Sequence, residues 1–249
     1  MLECYFDDSG THDGAPALVW GGIVGTSEQI TDLSETWRAL LRRPLPGKPP
    51  LRQFHLAQCA ISEGEFAHYT PAERDAVRFE FRQIMANAGV EGVGFAVSRR
   101  DWDDLIQGAA REYFGSAEEV SMGGCIRFGL EHAAARDEDR VSLTFDIGRR
   151  TPELQAQTER VLANYEGPAQ LDRIDFLPVI EMPPLQAADT IATESYWYAC
   201  DWLQDARAAF RPHFRNLMEN INAARFMMDR DEIQQNLGRF NLGLMPKLP

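Results

Sequence analysis

The chain begins with a short apolar run that ends abruptly in two adjacent carboxylates. Leu2–Phe6, which reads LECYF, is followed by Asp7 and Asp8, and a Ser-Gly pair then turns the chain. Ala17–Val24, which reads ALVWGGIV, has the composition of a second strand coming back. An apolar run of this length bounded by Asp, Ser and Gly is typical of a buried strand with a turn. The sequence therefore predicts two strands joined by this turn, with Asp7 at the end of the first.

Asp7 is the first candidate for a functional carboxylate. A carboxylate at the end of a buried strand is costly to desolvate unless a cation meets it, so this position favours a metal ion or another cationic partner. The same residues also suit an ordinary hairpin turn, because Asp accepts hydrogen bonds from backbone amides and Gly adopts positive φ. Both interpretations stay open on this motif alone.

The length and composition limit the kinds of protein that this chain can be. At 249 residues, with 44% hydrophobic residues and 14 phenylalanines, it suits one large α/β domain or two small ones and excludes disorder. The net charge of −13 argues against non-specific binding of a nucleic-acid duplex through a basic face. It still allows a local basic groove beside an acidic metal site.

The cysteines and the start of the chain predict a cytoplasmic protein. Cys4, Cys59, Cys125 and Cys200 form no CxxC pair, a distribution typical of reduced thiols in a cytosolic protein. The chain does not open with a basic segment and an apolar stretch, so no signal peptide is expected. No window reaches the roughly 18 consecutive apolar residues that a membrane span needs.

Hydrophobic periodicity and turn residues predict the order of the structural elements. Apolar or alternating runs predict five strands, at Leu2–Phe6, Ala17–Val24, Val90–Ser98, Arg140–Gly148 and Leu171–Ile180. Apolar residues at helical spacing predict helices at Ser27–Leu41, Thr70–Ala88, Trp102–Phe114, Glu118–Arg136, Pro152–Tyr165, from about Pro184 onwards and at Ala209–Arg225. Thr70 and Glu73 predict a capping box at the start of the second of these helices, and the tail after Asp231 is expected to be irregular.

This order predicts an α/β fold with a mixed sheet. Three early strands that can meander, followed by alternating strands and helices, give a mixed five-stranded sheet flanked by helices. We expect a single domain over residues 1–249. It would carry a helical insertion at about 27–89, between the second and third strands, and a C-terminal helical extension at about 207–249.

Three acidic residues share the same setting in this predicted fold. Asp7 ends the first strand, Asp146 ends the fourth, and Asp189 lies near the start of the helix after the fifth. Neighbouring strands lie about 4.8 Å apart, so acids at adjacent strand ends can share an ion, and a helix over those ends can add a third ligand. Such oxygen ligands suit Mg²⁺ or Mn²⁺. Spacing alone is a weak signal, since a chain with 38 acidic residues produces such triples by chance.

Four motifs, in this order, resemble those of a known family. YFDDSG, FHLAQC, TFDIG and PLQAADTIATE are similar to motifs of the domain of unknown function 3800 family, over about Leu2 to Leu203. That family is regarded as ribonuclease-H-like. The resemblance implies a central mixed sheet of ribonuclease-H-like type in which the acids of the DDSG, FDIG and LQAAD motifs converge, at Asp7, Asp146 and Asp189. The second acid of the first motif is Asp here, where family members often have Glu.

Further residues are weaker candidates for the same site. His55, within FHLAQC, is a candidate proton carrier or ligand, although a lone histidine is more often a hydrogen-bonded structural residue. Asp8 should point away from Asp7 on a strand and suits turn capping. Glu194 lies five residues after Asp189, about 140° around a helix, so the two should not face one ion. The roles of His12, in the loop after the first turn, and of Glu181 are left open.

These features predict a divalent-metal-dependent phosphodiesterase or nuclease that acts on DNA or RNA. In this hypothesis Asp7, Asp146 and Asp189 hold Mg²⁺ or Mn²⁺, which activates water against a nucleic-acid phosphate, and His55 assists proton transfer. The pair Arg149–Arg150 follows the fourth strand directly and suits either a phosphate contact or a solvated surface.

Two alternatives from other functional classes stay open. One is a phosphoryl-transfer enzyme that acts on a small phosphate, although the chain lacks a second glycine-rich phosphate loop. The other is a non-catalytic protein-interaction module of a defence or mobile-element system. Tyr196, Trp197, Tyr198 and Trp202 place aromatic residues on both faces of one helix, which predicts either deep burial or a homodimer.

Overall fold

The structure, a computed structural model, is a mixed α/β arrangement and describes residues 1–136, 140–146, 151–163, 165, 169–207, 209 and 211–242. Its strands are β1 (Leu2–Ser9), β2 (Ala17–Thr26), β3 (Glu91–Ser98), β4 (Arg140–Asp146), β5 (Gln170–Leu177) and β6 (Ala224–Met228). Its helices are α1 (Ser27–Arg42), α2 (Leu56–Ile61), α3 (Pro71–Ala88), α4 (Arg99–Leu105), α5 (Ala109–Phe114), α6 (Ala117–Ala135), α7 (Thr151–Ala163), α8 (Pro183–Gln204), α9 (Pro212–Asn220) and α10 (Arg230–Asn241). Single 3-10 turns lie at Gly64–Phe66 and Val179–Glu181.

The described strands form one mixed sheet in the order β5-β4-β1-β2-β3-β6. The first three strands form an antiparallel meander, because β2 pairs antiparallel with both β1 and β3. The remaining pairs are parallel, β1 with β4, β4 with β5 and β3 with β6. Parallel neighbours need long crossover connections, which the helices supply. The carboxyl ends of β1 and β4 therefore lie side by side.

The mixed sheet with flanking helices agrees with the sequence prediction, but the sheet has six strands rather than five. The prediction of one helix over Ala209–Arg225 was wrong, because α9 ends at Asn220 and β6 follows it at the sheet edge. β6 is only five residues long and is partly exposed, so it carries no alternating apolar pattern. The tail is also not irregular up to Asn241, because the Asp229 side chain caps α10 by accepting from two backbone N–H groups.

Two other boundaries differ from the prediction for identifiable reasons. The single helix expected over Trp102–Phe114 is divided into α4 and α5, because the chain turns at Gly108, which has a φ of 54°. β1 runs on to Ser9, so Asp7 lies inside the strand, opposite Gly21 of β2, rather than at its last residue.

The chain between β2 and β3 contains α1, α2 and α3. That these helices are an insertion into a ribonuclease-H-like core, and that residues 1–249 make a single domain, stay predictions. Within the described part of the chain, none of the helices has the length and apolar character that crossing a membrane requires.

Helices cover both faces of the sheet. On one face α8 packs against β1, β2 and β3, with α1 and α3 beside it, and Trp37, Phe54 and Phe81 form the aromatic centre of that core. On the other face α6 packs over the sheet, around a core that includes Trp20 and Phe145. The loop that contains Phe54 is thereby fixed against α8.

Small residues bring α8 unusually close to the sheet. A Cβ atom added at Gly21 of β2 would lie 2.7 Å from Cα of Ala192, and one at Gly94 of β3 would clash with the Ser195 hydroxyl. Glycine in these strands therefore permits the close backbone approach. As a result, every residue of α8 from Pro183 to Ser195 is buried, which places the polar residues of this half helix inside the protein.

Candidate functional site

One cavity of about 280 Å³ collects most of the residues that the sequence singled out. It lies where the carboxyl ends of β1 and β4 meet α8 and the loop before α2. Its titratable lining residues are the carboxylates Asp7, Asp8, Asp146 and Asp189 and the imidazoles His12 and His55. We refer to it as the carboxylate cavity.

Asp7 and Asp146 reach the cavity because of the strand register. Phe6 of β1 lies opposite Phe145 of the parallel strand β4, so the residue that follows each of them lies at the same end of the sheet. Asp7 is 9% exposed, and its Oδ1 accepts a hydrogen bond of 2.8 Å from the backbone N–H of Asp8. Oδ1 of Asp146 accepts one of 2.9 Å from the backbone N–H of Val179.

Asp189 reaches the same cavity from the second turn of α8. It is 6% exposed, and its Oδ2 accepts a hydrogen bond of 3.1 Å from the backbone N–H of Leu56. Its Oδ1 accepts one of 3.3 Å from the Thr193 hydroxyl, one turn further along the helix. Nδ1 of His55 lies 3.9 Å from Oδ2 of Asp189, so the histidine predicted from FHLAQC does lie beside a candidate carboxylate.

A residue that the sequence reasoning missed, Gln186, connects the segments around the cavity. Its side chain is fully buried one turn before Asp189. Its Oε1 accepts hydrogen bonds of 2.9 Å from both Nε1–H of Trp37 and the backbone N–H of Phe54. Its Nε2 donates to the backbone carbonyls of Val179 and Ile180, at 3.2 and 3.4 Å.

These bonds fix the two backbone donors that meet the carboxylates. The segment held at Phe54 supplies the N–H that bonds Asp189, and the turn held at Val179 supplies the N–H that bonds Asp146. One buried amide therefore sets the position of both hydrogen-bonding partners. The signal in the sequence was a glutamine inside the LQAAD motif, but two of its four partners, Trp37 and Phe54, lie more than a hundred residues away along the chain.

Burial and mutual repulsion disfavour the negative charges of Asp7 and Asp189 in the carboxylate cavity. The pKa of Asp7 is raised well above its ordinary value, first by burial and then by the like charges of Asp189, Asp8 and Asp146. Burial also raises the pKa of Asp189, although His55 and the hydrogen bonds that Asp189 accepts oppose this effect. No lysine or arginine among the described residues forms an ion pair with Asp7 or Asp189. The cavity therefore favours uptake of a proton or a cation.

The donor set fits a divalent cation in charge and in chemistry, since hard carboxylate oxygens are the ligands that Mg²⁺ and Mn²⁺ prefer. The carboxylates do not already form a closed cage. Within the residues that the structure describes, no group of three or more His, Cys, Asp or Glu side chains is arranged to hold a metal ion. The candidates thus share one cavity, but their side chains do not form a ready coordination shell.

Other predicted candidates lie elsewhere or have other partners. Glu194 is 2% exposed and forms a buried ion pair with Arg82, so it does not line the cavity, in agreement with its angular offset from Asp189. Glu181 is exposed in the turn before α8. His12 does line the cavity, and its Nε2 lies 3.3 Å from the Tyr196 hydroxyl. Arg149 and Arg150 lie outside the described residues.

Comparisons with known proteins add little to this geometry. No family model and no curated protein matches the chain, so the resemblance to the domain of unknown function 3800 family stays a prediction. Among solved structures, the chain is similar to a chain in the structure of the PCNA:RNase HII complex from Archaeoglobus fulgidus. The two are 13% identical with a TM-score of 0.40, over 100% of this chain and 96% of that chain. A similarity at this level carries no argument about function.

Proposed function

We propose that the protein is a divalent-metal-dependent phosphodiesterase of ribonuclease-H-like type that acts on nucleic acid. The observation that carries this proposal is the shared cavity of Asp7, Asp146 and Asp189, three carboxylates from distant parts of the chain. Within the described residues, Asp7 and Asp189 form no ion pair with lysine or arginine, and burial and mutual repulsion disfavour their charges. A divalent cation offsets such repulsion without protonating the carboxylates.

The motif resemblance supports the same assignment. It implies a mixed sheet on which the acids of DDSG, FDIG and LQAAD converge. The acids at the matching positions, Asp7, Asp146 and Asp189, line one cavity beside a mixed sheet. This agreement concerns the fold and the site, and the reaction itself rests on the chemistry of the carboxylates.

In the proposed mechanism the three carboxylates hold Mg²⁺ or Mn²⁺. When bound, such an ion supplies an activated water and neutralises the charge that develops on a phosphate. The hydrogen bonds from Leu56 and Val179 orient the carboxylates of Asp189 and Asp146. His55, whose side chain is 36% exposed at the cavity wall, is the proposed proton carrier.

Calorimetric titration of Mn²⁺ into protein freed of metal with EDTA tests the proposal. The wild type should bind Mn²⁺, and Asp7→Asn and Asp189→Asn should weaken binding by about tenfold or more. The same two variants should abolish hydrolysis of single-stranded and duplex DNA and RNA. Asp231→Asn, a change at an exposed aspartate of α10, is the matched control and should behave as the wild type. Failure of the wild type to bind Mn²⁺ overturns the proposal.

A second experiment tests the role of His55. His55→Gln should reduce the hydrolysis rate by roughly 10² to 10⁴-fold, the usual contribution of a general acid or base. Mn²⁺ affinity should change little, because the carboxylates and not the imidazole are the proposed ligands. An unchanged rate, measured with saturating Mn²⁺, would remove His55 from the mechanism.

A further inference from the structure

A second cavity, of about 240 Å³, lies between α8, α9, β3 and β6. Its wall includes the aromatic side chains of Tyr198, Trp202 and Phe214, together with Arg225 and Ser195. None of the described residues that line it also lines the carboxylate cavity. We refer to it as the aromatic cavity.

The aromatic side chains form a fixed wall. The Tyr198 ring centroid lies 6.1 Å from that of Trp202 and 5.7 Å from that of Phe214. Nε1–H of Trp202 donates a hydrogen bond of 3.2 Å to Asp229, which holds the indole in place. Such a wall offers stacking surface to a planar ring at little cost in conformational entropy.

One polar group in this wall has no hydrogen-bond partner among the described residues. Ser195 is 5% exposed, and its Oγ makes no hydrogen bond in the part of the chain that the structure describes. A buried hydroxyl without a partner is unfavourable, so its position in a cavity wall points to a hydrogen bond with something bound there. A ligand whose edge carries a hydrogen-bond donor or acceptor would supply that partner.

One cation also borders the cavity. The guanidinium carbon of Arg225 lies 5.2 Å from the centre of the Tyr198 ring, and this contact keeps the charge beside the aromatic wall. Among the described residues that line the cavity, Arg225 is the only one with a positive charge. In a chain with a net charge of −13, a local arginine beside an aromatic wall favours a ligand that is both planar and anionic.

We propose that the aromatic cavity binds a nucleoside monophosphate unit, either free or as one unpaired nucleotide of a strand. The base stacks on the aromatic wall, its polar edge meets the Ser195 hydroxyl, and its phosphate meets Arg225 at the mouth. A volume of about 240 Å³ is below the roughly 300–1,000 Å³ of a typical ligand pocket, so it holds one base with the phosphate outside. This proposal does not depend on the proposed phosphodiesterase activity.

Calorimetric titration of the intact protein in EDTA tests the ligand class. AMP, GMP, CMP and UMP are compared with adenosine, ribose 5-phosphate and inorganic phosphate. At least one nucleotide should bind about tenfold more tightly than ribose 5-phosphate, which lacks the base, and than adenosine, which lacks the phosphate. A short single-stranded oligonucleotide that binds more tightly than the monophosphate identifies a strand as the source, and the reverse order identifies the free nucleotide.

Variants locate the binding in the cavity. Arg225→Gln should weaken nucleotide binding about tenfold and leave adenosine binding unchanged, whereas Arg215→Gln, at an exposed arginine of α9, is the matched control. Ala96→Leu should block the cavity, and Ser195→Ala, a nearly isosteric change, should weaken binding with little effect on folding. Asp7→Asn should bind nucleotide as the wild type does, even if the phosphodiesterase proposal fails.

Three results would overturn this inference. The first is that no nucleotide binds at millimolar concentration. The second is that inorganic phosphate binds as tightly as the nucleotides, which would remove the role of the base. The third is that Asp7→Asn abolishes nucleotide binding while Ser195→Ala and Arg225→Gln do not, since the ligand would then occupy the carboxylate cavity.

Discussion

The two halves of α8 border cavities of similar size and opposite chemistry. Beside the fully buried half, Pro183–Ser195, four carboxylates line a cavity of about 280 Å³. Beside the half-buried remainder and Ser195, the last residue of the buried half, aromatic side chains and one arginine line a cavity of about 240 Å³. The carboxylate cavity is organised by hydrogen bonds from distant backbone segments, and the aromatic cavity by ring packing.

This contrast shows that one helix can border a charged cavity along one part of its length and an aromatic cavity along another. Gln186 satisfies four backbone or indole groups around the carboxylate cavity, so the positions of its walls are set although its charges repel one another. Ser195, in the wall of the aromatic cavity, has no described partner for its hydroxyl. Hydrogen bonds therefore hold the walls of the carboxylate cavity in place more than those of the aromatic cavity. Variants that change one cavity and leave the other intact test this comparison.

The largest effect is expected from Gln186→Leu. Leucine leaves the Trp37 indole N–H and the Phe54 backbone N–H buried without an acceptor, and each such loss costs about 1–3 kcal/mol. We expect the free energy of unfolding, measured with urea, to fall by roughly 3 kcal/mol or more. The exposed Gln155→Leu is the control and should stay within about 0.5 kcal/mol of the wild type. If the free energy of unfolding falls equally little in both variants, Gln186 does not organise the carboxylate cavity.

The second-largest effect is expected from Asp7→Asn, which should increase the stability that Gln186→Leu decreases. In EDTA at neutral pH, Asp7→Asn should raise the free energy of unfolding, because asparagine removes a buried charge repelled by three carboxylates and keeps an acceptor for the Asp8 N–H. Each unit by which the folded protein raises the pKa of Asp7 corresponds to about 1.4 kcal/mol. Thermal unfolding should therefore shift upward by roughly 2–4 °C for each kcal/mol gained. A variant less stable than the wild type would show that Asp7 is satisfied in some other way.

The stability difference between Asp7→Asn and the wild type should change with pH, by a smaller amount per pH unit than the whole effect. This pH dependence shows whether titration of Asp7 causes the difference. The pKa of Asp7 is raised in the folded protein, so the unfolded chain loses this proton first as pH rises from about 4. The folded state then binds more protons than the unfolded state, and stability due to Asp7 falls until the pH passes the folded pKa. The advantage of Asp7→Asn over the wild type should therefore grow with pH and then level off. An advantage that does not change with pH would exclude titration of Asp7 as its cause.

The smallest effect is expected at the first residue of the half-buried part of α8. Tyr196→Phe removes only the hydroxyl that lies 3.3 Å from the exposed imidazole of His12, and burial raises the pKa of Tyr196 to about 12, so no charge is lost. The free energy of unfolding should change by less than about 0.5 kcal/mol. A loss several times larger would mean that this hydroxyl supports the carboxylate cavity.

Much of the fold followed from local patterns in the sequence. The capping box of Thr70 and Glu73 is present at the start of α3, because it depends on residues three positions apart. β6 was missed because a short, partly exposed edge strand has no pattern of its own and is stabilised by its pairing with β3. The break at Gly108 was missed because apolar spacing continued across it.

The candidate site, like the fold, was predicted from the sequence only in part. Asp7, Asp146, Asp189 and His55 were named from strand ends and motifs, and all four line one cavity, although their chemical roles stay predictions. Gln186 was missed, since its importance depends on partners more than a hundred residues away, such as Phe54. The aromatic residues of α8 were recognised as a group, but their division between core and cavity wall was not.

By itself, the sequence determined the positions of the first five strands, most of the helices between them, the carboxylates at or near the strand ends and the acidic character of the chain, because these depend on composition and on neighbours within a few residues. Only the tertiary structure decided that the strand ends of β1 and β4 meet α8 in one cavity, that Gln186 joins its walls, and that a second cavity lies beside Ser195. The physical reason is that hydrogen bonds, desolvation and charge repulsion depend on distances in space, which the folded chain sets between residues remote in sequence.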